Sequence, residues 1–144
     1  IMDFLGWQAE GIEISDISVK RGREAGLKIR QGSHEALDGY QDYYDYIYSS
    51  HAIEHVNEPL ILFNKFYDSL KEDGILAFEV PNGEAAALDR FKGLYYYFGM
   101  PVHINLFTAK SLQIILSKIG FKEIQFGSYS NWDTQIASYK LSKI

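Results

Sequence analysis

The stretch from Asp45 to Asn82 restricts this chain more than any other. It opens with Asp45-Tyr-Ile-Tyr-Ser-Ser, passes through the polar run His51 to Glu58, and continues from Pro59 to Lys71 with Leu60, Phe63, Phe66, Tyr67 and Leu70 at helical spacing. It closes with the apolar run Ile75 to Val80, then Pro81 and Asn82. Tyr46, Ile47 and Tyr48 suit a pleated, buried surface, so the first segment reads as a strand. Proline is accommodated in the first turn of a helix, where its missing N–H would have no partner anyway. The stripe that follows gives that helix one apolar face. Asp73-Gly74 reads as the helix stop. A strand, a helix and a strand of this length make one right-handed crossover with its strands parallel, so Ser50-His51 and Glu79 to Asn82 open on the same sheet edge. In open α/β sheets ligands sit at that carboxyl edge.

The same residues resemble a known family. Ser50-His-Ala-Ile-Glu-His-Val56, Glu58-Pro59, Leu70-Lys-Glu-Asp-Gly74 and Val80-Pro-Asn82 are similar to class I S-adenosylmethionine-dependent methyltransferases, in particular a small-molecule, quinone-biosynthesis-like group. His103-Ile-Asn-Leu-Phe-Thr108, a helix and Ile119-Gly-Phe121 continue the likeness in the right order. The resemblance implies an α/β, three-layer Rossmann-like sheet, mostly parallel, ending in an antiparallel hairpin. It also implies methyl transfer to a small-molecule acceptor with S-adenosylmethionine as cofactor. A first strand and a glycine-rich cofactor loop are expected ahead of Ile1 and are not in this sequence, where Ile1 to Gly6 reads as the end of a helix. Residues 1–144 are therefore read as one truncated domain whose transfer activity is impaired.

Along the rest of the chain, Trp7 to Ile14 reads as a strand. Ser15 or Asp16 caps a helix to Ala25, Gly26 ends it, and Leu27 to Arg30 enter a further strand. Thr108 caps a helix whose buried stripe is Leu112, Ile115, Leu116 and Ile119. Phe121 to Tyr129 and Thr134 to Leu141 alternate as the two strands of a hairpin, joined by Ser130 to Asp133. Gly83 to Met100 is an aromatic insertion, with a short helix over Glu84 to Leu88, that could form a lid over an acceptor or a dimer contact.

Candidate site residues follow from these positions. Glu13 ends the second strand of the full family pattern, where a carboxylate accepts hydrogen bonds from both ribose hydroxyls, and Ile14 would line the adenine. The resemblance places Ser33 and His34 at the adenine edge, and Ser50 and His51 beside the methionine part of the cofactor. His103 is the first expected catalytic residue, because imidazole titrates near neutrality and the family pattern sets it near the acceptor; His55 is the second, with the alternative that Glu54 and His55 begin the helix and only orient it. A rival reading takes His51-Ala-Ile-Glu-His55 as an H-x-x-E-H zinc hydrolase motif. Pro59 leaves little helix to hold both imidazoles and no downstream carboxylate helix offers a third ligand, so no metal is expected.

Composition bounds the remainder. With 47% apolar residues the chain can build a core, and a net charge of -5 argues against a nucleic-acid surface. The absence of cysteine excludes disulfides and thiolate metal sites and makes a cytoplasmic location the default. No run approaches the roughly 20 apolar residues of a membrane span. The alternative to an enzyme is a non-catalytic, methyltransferase-like interaction module, as a homodimer through the aromatic insertion or through the gap left by the missing strand.

Overall fold

The computed structural model describes residues 5–84, 102–131 and 134–142. The expected helix end before Gly6 and the insertion from Gly83 to Met100 fall largely outside them. The chain groups into two compact units, Ile1–Gly39 and Tyr40–Ile144.

The first unit holds β1 (Gly11–Glu13), α1 (Asp16–Glu24) and β2 (Ile29–Gln31). β1 and β2 pair in parallel, Gly11 with Ile29 and Glu13 with Gln31. Ser15 caps α1 by accepting from the Ser18 N–H. The helix ends in a Schellman arrangement: Gly26 N–H donates to Arg23 O at 3.0 Å and Leu27 N–H to Gly22 O at 2.9 Å. Leu27 therefore belongs to the helix cap, which is why β2 starts two residues later than the apolar pattern suggests. β1 is likewise shorter than Trp7 to Ile14, since its ladder with β2 has only three pairs. Arg23 clamps α1 to β2, donating from Nε and Nη2 to Ile29 O at 3.0 and 2.8 Å.

The second unit contains β3 (Tyr44–Ser50), α2 (Pro59–Ser69), β4 (Leu70–Pro81), α3 (Ala109–Ile119), β5 (Lys122–Asn131) and β6 (Thr134–Ser142). Its sheet has the order β3-β4-β6-β5. β3 and β4 are parallel, with Ile47 opposite Leu76 and Ser50 opposite Glu79, as the crossover requires. β6 lies between β4 and β5 and pairs antiparallel with both. The C-terminal hairpin is thus present, and its second strand joins it to the crossover. α2 stops at Ser69, short of Lys71, because β4 already begins at Leu70. Residues between Leu70 and Ile75 loop out of the ladder, with Asp73 at a φ of 62°. Lys71 Nζ reaches back to the Asp45 carboxylate at 2.9 Å.

The core of this unit is aromatic and branched-aliphatic. Phe63 is fully buried and its ring meets Phe78, Phe107 and Phe66 at centroid distances of 5.4, 6.3 and 6.4 Å. Leu76, Val80, Leu112 and Leu116 are also completely shielded. Burial of each such side chain stabilises by about 1.5–3 kcal/mol. Leu62 replaces Leu60 on the packed face of α2, and Leu60 faces outward at 53% exposure. Thr108 forms a full capping box on α3, accepting from Ser111 N–H at 3.0 Å while Ser111 Oγ accepts from Thr108 N–H at 3.0 Å.

Candidate functional site

Parallel pairing decides which residues meet at each carboxyl edge. In the first unit, β1 delivers Glu13 and Ile14 and β2 delivers Gly32, Ser33 and His34. The two strand ends are linked by the Gly32 N–H donating to Glu13 O at 3.0 Å. Glu13 Oε1 accepts from the Ser15 N–H at 2.8 Å, so the start of α1 fixes the direction of this half-buried carboxylate. Ile14 beside it is 73% exposed. Gly32 sits at a φ of 149°, and a Cβ there would lie 3.2 Å from that of Ala36. The Ser33 N–H donates to Glu35 Oε1 at 3.0 Å. That bond, with the residue's own backbone N–H and the neighbouring His34, lowers the Glu35 pKa from its ordinary value. Ser33 Oγ and His34 Nδ1 are 3.3 Å apart. Arg30 braces the turn, donating to Ala36 O at 2.7 Å and to Glu10 Oε1 at 3.2 Å. Four expected cofactor residues, Glu13, Ile14, Ser33 and His34, therefore share one edge of one small sheet.

In the second unit the edge is built by β3 and β4. Ser50 Oγ donates to Glu79 Oε2 at 3.3 Å, and the His51 N–H donates to Glu79 O at 3.0 Å, extending the parallel ladder past the strand end. His51 then turns the chain with a φ of 49°, in the left-handed region. Ile53 to His55 form a 3-10 turn, and α2 begins only at Pro59. His51 and His55 are therefore not two faces of one helix, and the H-x-x-E-H zinc-helix arrangement is not formed.

The 3-10 turn instead inserts Glu54 into the interior. Glu54 is fully buried; its Oε1 lies 3.1 Å from His51 Nδ1, while Oε2 has no hydrogen-bond partner among the described residues. The segment 102–105 covers this turn. The amides of Ile104 and Asn105 both donate to Glu54 O, at 3.0 and 3.1 Å. Asn105 Nδ2 donates to Val56 O at 2.7 Å, and His55 Nδ1–H donates to Val102 O at 2.9 Å. These bonds bring the His103 ring to 4.7 Å from that of His55. Further on, Asn82 bridges to Phe107 and Gly83 N–H donates to Phe107 O at 2.8 Å, so the segment runs beside the end of β4.

Ser50, His51, His55 and His103 thus gather at the carboxyl edge of the second unit. Sequence reasoning treated Glu54 as a helix-orienting residue and missed its burial. The signal was the apolar Ile53 beside it, which packs fully inside and carries Glu54 with it. On β3, four residues before Ser50, the Tyr46 hydroxyl is pushed above its ordinary pKa by burial, then by Tyr48 and Glu79.

Among the described residues no helix is long and apolar enough to cross a membrane. A search of curated protein sequences returned no match. Solved structures do match. An S-adenosylmethionine-dependent methyltransferase from Archaeoglobus fulgidus superposes with a TM-score of 0.81 at 17% identity, covering 99% of this chain and 79% of that one. One from Thermotoga maritima gives 0.77 at 17% identity, over 93% of this chain and 72% of that one. One from Methanosarcina mazei gives 0.72 at 15% identity, over 94% and 81%. At such identities the likeness establishes the Rossmann-like α/β fold. The family model described as a methyltransferase domain matches residues 1–125, and on that match the chain belongs to the methyltransferase domain family.

Proposed function

We propose that the chain transfers a methyl group from S-adenosylmethionine to a small-molecule acceptor. The observation that carries this reading is Glu13: a carboxylate at the carboxyl end of a parallel strand, one oxygen held by the Ser15 N–H and the other left to accept from a ligand. A nucleoside diol needs that donor–acceptor match, and the exposed Ile14 next to it offers an apolar surface for a base. Ser33 and His34, on the adjoining strand end, supply polar atoms at the base edge. When bound, the cofactor supplies an electrophilic methyl group.

By the family resemblance, Ser50 and His51 are assigned to the methionine part of the cofactor, and His55 and His103 to the acceptor. Methyl transfer asks chiefly for alignment and exclusion of water, and a base is needed only when the acceptor must lose a proton. The His55 Nδ1–H bond to Val102 O leaves Nε2 as the nitrogen able to accept such a proton. His103 stands beside it for the same task.

Titration calorimetry with S-adenosylmethionine and with its demethylated product tests the cofactor assignment. Glu13→Gln removes the charge and keeps an oxygen for Ser15, so binding should weaken about 10-fold or more, the worth of one charged hydrogen bond. Equal affinity of Glu13→Gln and the parent chain refutes the assignment.

A further inference from the structure

We propose that Glu54, His55 and His103 form a binding site for one divalent first-row transition-metal ion of the zinc type. A ligand atom from each of these three residues lies within 4.8 Å of the other two. Two imidazoles and one carboxylate, with a further position left open, make a donor set that zinc accepts.

Three features distinguish this cluster from an ordinary surface group. The first is Glu54, fully buried with Oε2 lacking a hydrogen-bond partner among the described residues. A buried carboxylate oxygen without a donor is costly, and an ion held by both carboxylate oxygens, Oε1 facing His55 Nε2 and Oε2 otherwise unmatched, would remove that cost. The second is the tautomer of His55. A carbonyl can only accept, so the 2.9 Å contact of Nδ1 with Val102 O puts the ring proton on Nδ1. A metal-binding histidine characteristically donates its other ring nitrogen to a carbonyl or carboxylate in this way, which orients the ring. The third is the separation of 3.9 Å between His55 Nε2 and Glu54 Oε1. With the ring neutral both atoms carry lone pairs, and a cation between them, like a proton on either one, relieves their repulsion. Two metal bonds of about 2.0–2.2 Å reach across the gap. Ion binding draws the three side chains together from their present spacing.

His51 has a separate place. Its Nδ1, 3.1 Å from Glu54 Oε1, can donate to the carboxylate and so fix its orientation. The site does not depend on the methyl-transfer reading. Where the ion is bound, the Nε2 lone pair of His55 is ligated and is not a free base.

The test is zinc binding to the whole chain, followed by competition with a chromogenic chelator and by elemental analysis after dialysis, with cobalt(II) absorption as a geometric readout. The parent chain should take up one ion, and its melting temperature should rise with zinc concentration. His55→Ala and His103→Ala should each weaken zinc binding by about 100-fold, since even outer partners of metal ligands are worth 10–100-fold. His34→Ala, on the other unit, should leave it unchanged. Far-UV circular dichroism of each variant confirms that the fold is retained, and the exposed position of His55 makes its variant the secure one. No stoichiometric uptake, or uptake that both His55→Ala and His103→Ala leave unaltered, overturns the proposal.

Discussion

Asn105 is the side chain through which the segment after the insertion is tied to the turn that carries Glu54 and His55. Its amide nitrogen donates to Val56 O at 2.7 Å in a half-buried setting, alongside the backbone bonds from Ile104 and Asn105 to Glu54 O. Asn105→Ala removes one neutral hydrogen bond, worth about 0.5–1.5 kcal/mol net. The Val56 carbonyl left behind costs more only where water cannot reach it, so the expected loss is about 1 kcal/mol. The effect is local, and hydrogen exchange at the Ile104 and Asn105 amides is the assay: 1 kcal/mol lost from the opening equilibrium speeds exchange about five-fold. Asn105→Asp sharpens the test, because an ionised carboxylate has no proton to offer and opposes the Val56 carbonyl. That contact raises the carboxyl pKa in the fold, so its unfavourable contribution appears as pH rises through the ordinary carboxylate range and fades on acidification. Exchange should therefore be faster in Asn105→Asp than in Asn105→Ala at neutral pH, and no faster near pH 3, roughly a unit below an ordinary aspartate, where the protonated carboxyl again has a hydrogen to donate. Unchanged protection of both amides in Asn105→Ala would show that the segment is held by something other than this bond.

Phe63→Ala should cost about 3–5 kcal/mol in equilibrium urea unfolding, because the fully buried ring is central to the aromatic cluster; a loss below about 1 kcal/mol would contradict that placement. Gly120→Ala should destabilise by about 1–3 kcal/mol, from a backbone strained by a side chain and a Cβ pressed on the rigid Tyr67 ring. Gly120 has a φ of 123°, and its Cβ would meet Tyr67 Oη at 2.9 Å, so a neutral or stabilising result would refute the closeness of that contact. Tyr46 ionises later in the fold than in the unfolded chain, so its contribution is complete below pH about 10 and is lost as pH rises through the folded value. Tyr46→Phe should flatten the alkaline fall in urea midpoint, and an identical slope in both proteins would remove Tyr46 as a cause.

Much of the architecture was legible in the residues because its causes are local. Pro59 can open a helix and cannot continue one from within. Ser15 and Thr108 satisfy helix amides a few residues away, and the run from Ile75 to Val80 has nowhere to go but a buried strand. The helix stop at Gly26 was equally readable, although its cap also took Leu27 from β2. Boundaries were less secure where two elements compete for the same residues, as at Leu70, which the helical spacing claims for α2 and the Tyr44 pairing claims for β4.

The carboxyl edges were partly legible too, since parallel pairing follows from the crossover and puts Glu13 near Ser33, and Ser50 near Glu79. What the chain by itself determined is this set of strands, caps and turns, each controlled by neighbours within a few residues. Tertiary structure alone decided that β6 enters between β4 and β5, that Glu54 is enclosed, and that His103 meets His55. Those outcomes depend on contacts between residues far apart in sequence, such as the Val102 carbonyl that accepts from His55 across a separation of 47 positions. The apolar Ile53 is the one local mark of Glu54's burial; the amides of Ile104 and Asn105 that bond to the Glu54 carbonyl come from far along the chain.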